Sequence, residues 1–229
     1  PTQNTIWADD LFMSIPFLLR YAKIHSDAKY YDDVIIQIRN FHKYLFDNNL
    51  GLYYHGWFDD QKKPSVAHWG RANGWIAWAL TEALTHLPKS HKDYNDVLQI
   101  YREQMEGIVR YQDNTGMWRQ VLDRPESYEE TSCTAMFVLA LARGIRYGWI
   151  DKSYFENVKR GWNAISTNIS EDGTVNRISQ GTEIGNTLEY YFKRKTLPHD
   201  PRGLGAVITA GVKVDLLMNQ INEKNLTLL

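Results

Sequence analysis

The stretch DNNLGLYYH, residues 47–55, decides the fold because it joins a turn to a short extended arm and recurs along the chain. Its counterparts are DNTGMWRQ at residues 113–120 and EDGTVNR at residues 171–177. Each stretch follows a predicted helix, and the glycines of the three stretches are 65 and then 57 residues apart. A repeat of this length holds two helices and two connections, so it predicts stacked helical hairpins.

Apolar residues recur at helical spacing over most of the chain, and few alternating segments indicate strands. The period predicts seven helices, the last after a break at residues 198–201: 10–24, 31–46, 71–87, 94–111, 130–147, 153–169 and 205–219. Small residues are frequent in the third and fifth helices, which would crowd around a central axis. The second and fourth helices carry charge and would lie outside. We therefore predict an all-α toroid of three hairpins and one extra helix.

The length of the chain limits how much of a closed toroid it can form. A ring of this type has about six hairpins and more than about 300 residues. We predict one α/α-toroid domain over residues 1–229, which opens at the segment WADD, residues 7–10, without an earlier supporting helix. We expect that N-terminal helices are missing or belong to another chain, and that this chain holds about the C-terminal two-thirds of the barrel.

Composition excludes several classes of partner. The chain has 26 basic and 27 acidic side chains, a formal net charge of -1, which predicts no nucleic acid partner. No uninterrupted apolar run approaches the roughly 20 residues of a membrane span, so we expect no membrane partner and a soluble protein of a bacterial-type cytoplasm or periplasm. The oligomeric state stays open. Aromatic residues make up 13% of the chain, which suits a surface that recognises flat rings.

The segment WADDLFM, residues 7–13, places an aromatic side chain and two carboxylates before an apolar helix. Asp9 or Asp10 can cap that helix, an arrangement that contributes about 1 kcal/mol. Only one of them fits the N-cap position, so we expect its neighbour to point from the helix start toward the interior of the ring, beside Trp7. A raised pKa at that position would suit proton transfer.

A lone histidine, His55, lies in the aromatic arm YYHGW, residues 53–57. It has two interpretations, a satisfied structural side chain or a site residue on the same rim as Asp9. We interpret YEETS, residues 128–132, as a solvated helix start, and GTEIG, residues 181–185, as a turn near the rim. The histidines lack the spacing of known zinc motifs, so we predict no metal site.

The segment WGRANGW, residues 69–75, combines glycines, two aromatic faces and a planar cation. Trp69 and Trp75 can stack on a ring, and Arg71 can bind a carboxylate. Core packing is the alternative for the tryptophans, and for Trp78 we prefer it. The positive charge of Arg71 is unfavourable near the positive N-terminal end of the helix dipole. This suggests that Arg71 has a role other than stabilising the helix.

Taken in order, the segments at residues 7–13, 53–57 and 69–75 resemble glycoside hydrolase family 105, the unsaturated rhamnogalacturonyl hydrolases. The resemblance extends to about Val214 and implies an (α/α)6 barrel. The sister family 88, whose members act on unsaturated glucuronyl sugars of glycosaminoglycans, shares fold and chemistry. WGRANGW fits family 105 better.

The resemblance also implies roles for the candidate residues. Asp9 would be the general acid and base. The implied substrate-binding residues are Trp7, His55, Trp69, Arg71 and Trp75. His55 and Arg71 would bind the uronate around its carboxylate and ring oxygens, and the tryptophans would shape the sugar subsite. Asp9 must start protonated, so burial is expected to raise its pKa. No cofactor is implied.

The implied substrate is a lyase-generated oligosaccharide of pectin or rhamnogalacturonan that ends in a 4,5-unsaturated uronic acid of galacturonyl type. The implied reaction is hydration of its C4=C5 double bond. One alternative is an unsaturated glucuronyl hydrolase or another α/α-toroid sugar enzyme, which would use a second carboxylate or a histidine pair. An alternative of another class is a noncatalytic carbohydrate-binding toroid, in which Asp9 would only cap its helix.

Overall fold

The computed structural model describes residues 4–226, with side chains described through residue 223. Eight α-helices occur in this part of the chain: α1 (Asp10–His25), α2 (Lys29–Leu45), α3 (Gly70–His86), α4 (Tyr94–Val109), α5 (Thr131–Tyr147), α6 (Phe155–Thr167), α7 (Leu188–Phe192) and α8 (Pro201–Leu226). Seven short strands accompany them: β1 (Thr5–Trp7), β2 (Phe46–Asp47), β3 (Leu52–Tyr53), β4 (Gly56–Phe58), β5 (Lys63–Pro64), β6 (Ile178–Ser179) and β7 (Thr196–Leu197).

The long helices form two layers. Helices α1, α3, α5 and α8 pack side by side in chain order and form the inner layer, and α2, α4 and α6 pack on α1, α3 and α5 from outside. Every residue from Thr131 to Ile145 of α5 is buried, which explains why small side chains are frequent there. The predicted arrangement of three hairpins and one extra helix is confirmed.

The three repeated connections are turns that share two features, although the aspartate lies four, three and one residues before the glycine. Their glycines all have left-handed φ angles, between +69° and +92°: Gly51, Gly116 and Gly173. In each turn an aspartate side chain accepts a hydrogen bond of 2.9 Å from the backbone N–H two residues later: Asp47, Asp113 and Asp172. Glycine adopts this backbone conformation without a steric penalty, and aspartate stabilises it locally. The three turns therefore share a left-handed glycine and an aspartate hydrogen bond, but not one common geometry.

Several predicted boundaries were wrong. Helix α8 begins at Pro201, within the predicted break, because Asp200 accepts a 3.0 Å hydrogen bond from the backbone N–H of Arg202, and proline is compatible with a first helical position. A 3₁₀ turn, Lys152–Tyr154, precedes α6. Helix α7 was not predicted at all.

Short strands connect the helix ends on the side of the molecule where α1 and α3 begin. Strand β1 pairs antiparallel with β4, and Trp7 lies opposite Gly56 in this register. Strand β4 in turn pairs with β5. A Cβ at Gly56 would lie 2.8 Å from the Ile6 carbonyl oxygen, so a glycine permits this close pairing. The strands therefore hold the start of α1 against the arm that carries His55.

Within the described chain one helix passes the length and composition test for a membrane span. It covers residues 201–223 of α8, with a mean hydropathy of 1.3, and 22% of this window is buried. The inward face of α8 packs on α5 and buries core residues, Ala206, Val207, Ala210, Val214 and Leu217. A core helix passes the same test, so the absence of a membrane partner stays a prediction.

Candidate functional site

Asp9 lies directly before α1, at the N-cap position, yet its side chain makes no capping hydrogen bond. Its Oδ2 is buried and has no hydrogen-bond partner in the described chain, and 22% of the side chain is exposed. Asp10 is the first residue of the helix. Asp9 therefore occupies the N-cap position without capping α1, and its carboxyl group is left for another contact.

Asp10 carries a carboxyl group whose pKa departs from its ordinary value. Partial burial, and secondarily the neighbouring Asp9 charge, raise the pKa of Asp10. Two adjacent carboxylates disfavour each other's ionised forms, so the helix start carries one group that protonates more readily than an ordinary aspartate.

His55 is fully buried and lies beside Asp9. Its Nε2 is 3.5 Å from Asp9 Oδ2, and its ring meets the ring of Trp7 edge-on at 5.9 Å. The His55 carbonyl accepts a 3.0 Å hydrogen bond from the backbone N–H of Ala8, and its own N–H donates to Ala67 O at 2.9 Å. Backbone bonding on both sides thus holds the imidazole next to the carboxylate.

Trp69 lies in van der Waals contact with both basic residues of the site. Its ring centroid is 4.5 Å from that of His55 and 4.7 Å from the Arg71 guanidinium carbon. Trp69 is only 1% exposed, and its Nε1 is buried without a hydrogen-bond partner among the described residues. The indole of Trp69 therefore packs against both His55 and Arg71.

Arg71, in the first turn of α3, is 2% exposed. Its guanidinium donates to the carbonyl oxygens of Ser179 and Gln180, the latter at 2.8 Å, and to Ser132 Oγ at 3.4 Å. These bonds use three of the five N–H groups of an arginine. One task of this cation is therefore to bind the β6 backbone.

Trp75 is half-buried one helical turn beyond Arg71. Phe12 of α1 stacks on Trp75 at 4.8 Å and contacts Trp78 in a tilted arrangement at 4.7 Å. The two indoles are themselves stacked, with centroids 5.9 Å apart. Trp78 is thus a packing residue, as preferred from the sequence, and Phe12 links the start of α1 to Trp75.

These positions can be compared with known proteins. The model of Glycosyl Hydrolase Family 88 matches residues 1–218. The chain belongs to glycosyl hydrolase family 88. A solved structure of a family 105 glycoside hydrolase from C. acetobutylicum ATCC 824 is 30% identical, with a TM-score of 0.88 over 93% of this chain and 66% of that chain. The predicted resemblance and the (α/α)6 toroid class are confirmed, and the share agrees with the predicted two-thirds.

Two further proteins are similar to this chain in sequence. An unsaturated rhamnogalacturonyl hydrolase, YesR of Bacillus subtilis, is 34% identical over 186 residues, which are 81% of this chain and 52% of that protein. An unsaturated 3S-rhamnoglycuronyl hydrolase of Alteromonas sp. is 31% identical over 178 residues, which are 74% of this chain and 43% of that protein. The chain spans about half the length of these relatives.

Two buried residues near the candidate site were not recognised as such from the sequence. Glu130 is 1% exposed and caps α5 by accepting from the backbone N–H groups of Ser132 and Cys133 at 2.9 and 2.7 Å. The interpretation of this segment as solvated was wrong because the cap is covered by Ser179, whose N–H also donates to Glu130. Burial of a cap residue leaves no sequence pattern.

Tyr191 is the second such residue. It lies on the five-residue helix α7, is fully buried, and its hydroxyl is 2.9 Å from His55 Nδ1. Thr187 caps α7 by accepting from the backbone N–H of Tyr190. A threonine three residues before an aromatic pair was the available sequence signal.

The turn interpreted from GTEIG, residues 181–185, lies against the arm. A Cβ at Gly56 would be 2.2 Å from Ile184 Cδ1, and Gly185 N–H donates to the Tyr191 hydroxyl at 2.9 Å. The segment therefore contacts the backbone next to His55.

A separate ionisable cluster surrounds His68. Its Nδ1 is 3.2 Å from Asp123 Oδ1, its Nε2 is 3.6 Å from Asp47 Oδ2, and its ring lies 4.2 Å from that of Tyr54. Over the described residues, no group of three or more His, Cys, Asp or Glu side chains is arranged to hold a metal ion. His68 is thus packed between two aspartates and a tyrosine ring.

Proposed function

We propose that the protein removes a 4,5-unsaturated uronic acid of galacturonyl type from lyase-generated pectin or rhamnogalacturonan oligosaccharides. The observation that carries the proposal is the pair of Asp9 and His55. A buried carboxylate oxygen that neither caps its helix nor has a hydrogen-bond partner faces an imidazole nitrogen at 3.5 Å. Because 22% of the side chain is exposed, a substrate can reach this carboxyl group. The names of the relatives, both hydrolases of unsaturated sugars, support the proposal.

The chemistry of the substrate explains why one carboxyl group suffices. The C4=C5 double bond is a vinyl ether with the ring oxygen, so C4 is nucleophilic and C5 can carry an oxocarbenium charge. Ordinary glycosidases attack C1 and need two carboxyl groups for it. Here the reacting atom is an alkene carbon, and the anomeric bond is broken later without the enzyme.

In the proposed mechanism, the neutral carboxyl group of Asp9 gives its proton to C4 and becomes a carboxylate. Water then attacks C5, and Asp9 takes one of its protons, which restores the acid. The resulting hemiketal opens to a ketone at C5 by breaking the bond from C5 to the ring oxygen. The hemiacetal left at C1 releases the aglycone. One water molecule is consumed, and no bond forms to the protein.

The remaining side chains bind the uronate in this proposal. Three guanidinium N–H groups of Arg71 donate to the chain itself, and we assign the other two to the substrate carboxylate. His55 donates to an oxygen of the sugar. Trp69 supports both residues, and Trp75, which is half-buried, forms a wall of the subsite. Trp7 shields the Asp9 carboxyl group.

The test uses loss of the conjugated double bond, which absorbs at about 235 nm. We expect the absorbance of an unsaturated rhamnogalacturonan disaccharide to fall with the wild-type protein and with the matched control Asp10→Asn. We expect Asp9→Asn to abolish the decay. An unchanged decay with Asp9→Asn would remove Asp9 from the mechanism, and binding without any decay would favour the noncatalytic toroid.

Substrate class is tested with a panel. Unsaturated galacturonyl and unsaturated glucuronyl disaccharides are compared by kcat/KM, because this quantity measures discrimination between transition states. The proposal expects a higher value for the galacturonyl sugar. A higher value for the glucuronyl sugar would instead favour the unsaturated glucuronyl hydrolase alternative.

A further inference from the structure

The Tyr191 hydroxyl is the partner of His55 on the side away from Asp9. Its oxygen is 2.9 Å from His55 Nδ1 and 2.9 Å from the backbone nitrogen of Gly185. Both side chains are fully buried, and their rings meet edge-on at 5.7 Å. Any proton in this contact therefore belongs to the two side chains and not to bulk water.

Hydrogen-bond accounting decides the direction of the contact. A phenol has one proton to donate and can accept through its oxygen. The backbone N–H of Gly185 can only donate, so it donates to the Tyr191 oxygen. The phenol proton remains, and His55 Nδ1, 2.9 Å away, is an acceptor within reach of it.

The phenol also keeps that proton. Burial raises the pKa of Tyr191 above its ordinary value, because the phenolate form would lose its hydration. The group is therefore a neutral donor over the range in which a histidine titrates.

We propose that Tyr191 is a positioning residue that donates to His55 Nδ1 and so holds neutral His55 as the Nε2–H tautomer, with this N–H directed at Asp9. The proposal builds on the proposed function and assigns a direction to its central pair. A neutral imidazole has one donor nitrogen and one acceptor nitrogen, so fixing Nδ1 as the acceptor makes Nε2 the donor.

The Nε2–H tautomer gives Asp9 and His55 different roles. An Nε2–H group cannot take a proton from Asp9 or from water, so proton transfer to C4 and from water remains with Asp9. His55 instead offers a hydrogen-bond donor to Asp9 Oδ2, 3.5 Å away, or to a sugar oxygen placed between them. Both Nε2 and Oδ2 are buried and unpaired within the described chain, as this role requires.

The position of Tyr191 is itself well fixed. Gln120 Nε2 donates to the Tyr191 carbonyl at 2.8 Å, and Thr187 caps the helix that carries the ring. A donor held by its own hydrogen bonds can orient a catalytic group with little loss of entropy.

The first test is ¹⁵N NMR of the histidine rings, which distinguishes the two tautomers. The His55 signals are assigned by their loss in His55→Gln. In the wild-type protein above neutral pH, we expect a protonated Nε2 and an unprotonated Nδ1. In Tyr191→Phe we expect a mixture in which Nδ1–H is substantially populated. An Nδ1–H tautomer in the wild type, or the same tautomer in both proteins, would overturn the proposal.

The matched control is Tyr190→Phe, which removes a hydroxyl from the adjacent ring 5.5 Å away. This variant should leave the His55 signals at their wild-type positions. If the unsaturated uronate is a substrate, Tyr191→Phe should lower kcat about tenfold with KM nearly unchanged. The NMR result decides the tautomer even if no uronate is hydrolysed, so failure of this inference and failure of the proposed function are distinguishable.

Discussion

The guanidinium of Arg143 on α5 binds the carboxylate of Glu82 on α3, and this ion pair lies between two helices of the inner layer. Both residues are buried, Arg143 at 5% and Glu82 at 8% exposure. Burial alone would raise the pKa of Glu82, but hydrogen bonds with His86, Arg143 and Arg20 hold it well below its usual range. The pair therefore stays ionised inside the helical layer.

Glu82→Gln should destabilise the fold by about 3 to 5 kcal/mol, because it leaves the Arg143 charge buried without its partner. Urea unfolding measures this free energy. Arg20→Gln is the control, because Arg20 contacts the same carboxylate from a side chain that is 53% exposed. Its loss should be less than about 1 kcal/mol. Equal losses in the two variants would contradict a buried pair.

Stability should also fall in acid because of the carboxylates around His68. Burial would raise the pKa of Asp123, but hydrogen bonding to His68 and its charge outweigh this and lower it. Burial would also raise the pKa of Asp47, but hydrogen bonds from Tyr54 and from the turn backbone outweigh this and lower it. A lowered pKa in the folded state stabilises it above the unfolded-state value of about 4, and this contribution disappears as the pH falls through the folded-state value.

The expected result is that the contribution of these two carboxylates to the free energy of unfolding is constant above about pH 5 and decreases below it. Asp123→Asn should lower stability at neutral pH and flatten the decrease, because one of the responsible carboxyl groups is absent. Chemical unfolding at a series of pH values measures both effects. If the variant and the wild type lost stability in parallel, Asp123 would have no part in the acid response.

Gly56→Ala should disturb the arm that carries His55. The new Cβ would lie 2.2 Å from Ile184 Cδ1 and 2.8 Å from the Ile6 carbonyl oxygen, and the second contact is with backbone that cannot rotate away. We expect a loss of about 1 to 3 kcal/mol and a lower kcat. Gly205→Ala in α8 is the control, since its Cβ would meet nothing within 4 Å. It should stabilise by up to about 1 kcal/mol. A Gly56→Ala variant with wild-type stability would contradict the close pairing of β1 and β4.

Arg71→Lys should raise KM at least about tenfold, because an ammonium group cannot bind two backbone carbonyls and a carboxylate in one plane. Steady-state kinetics on the unsaturated disaccharide measures the change. Arg39→Lys on the outer helix α2 should leave KM as in the wild type, since Arg39 pairs with Asp93 at the surface. An unchanged KM in Arg71→Lys would mean that Arg71 contacts only the protein and does not bind the substrate.

The helical layers could be predicted from the sequence because each long helix repeats its apolar period many times. Helix α7 could not, because five residues cover little more than one turn and show no period. Tyr191 was missed for this reason, although it contacts the predicted residue His55. The start of α8 was missed because Asp200 and Pro201 were interpreted as a break and not as a helix cap.

The proximity of the candidate residues could be predicted from the sequence, but only part of their contacts could. The segments around Asp9, His55 and Arg71 lie close together, as their order in the chain suggested. The carbonyl groups that bind Arg71 could not be predicted, because backbone acceptors leave no trace in side-chain pattern. Burial of Glu130 depends in the same way on a strand that is distant in the chain.

Strand β1 has three residues and pairs with β4 in one register, Trp7 opposite Gly56. A slip by a single residue would displace Asp9 by about 3.3 Å relative to His55, as far as the two groups are now apart, and would reverse the faces of the strand. The distance between Asp9 and His55 therefore depends on the pairing of three residues in one short strand.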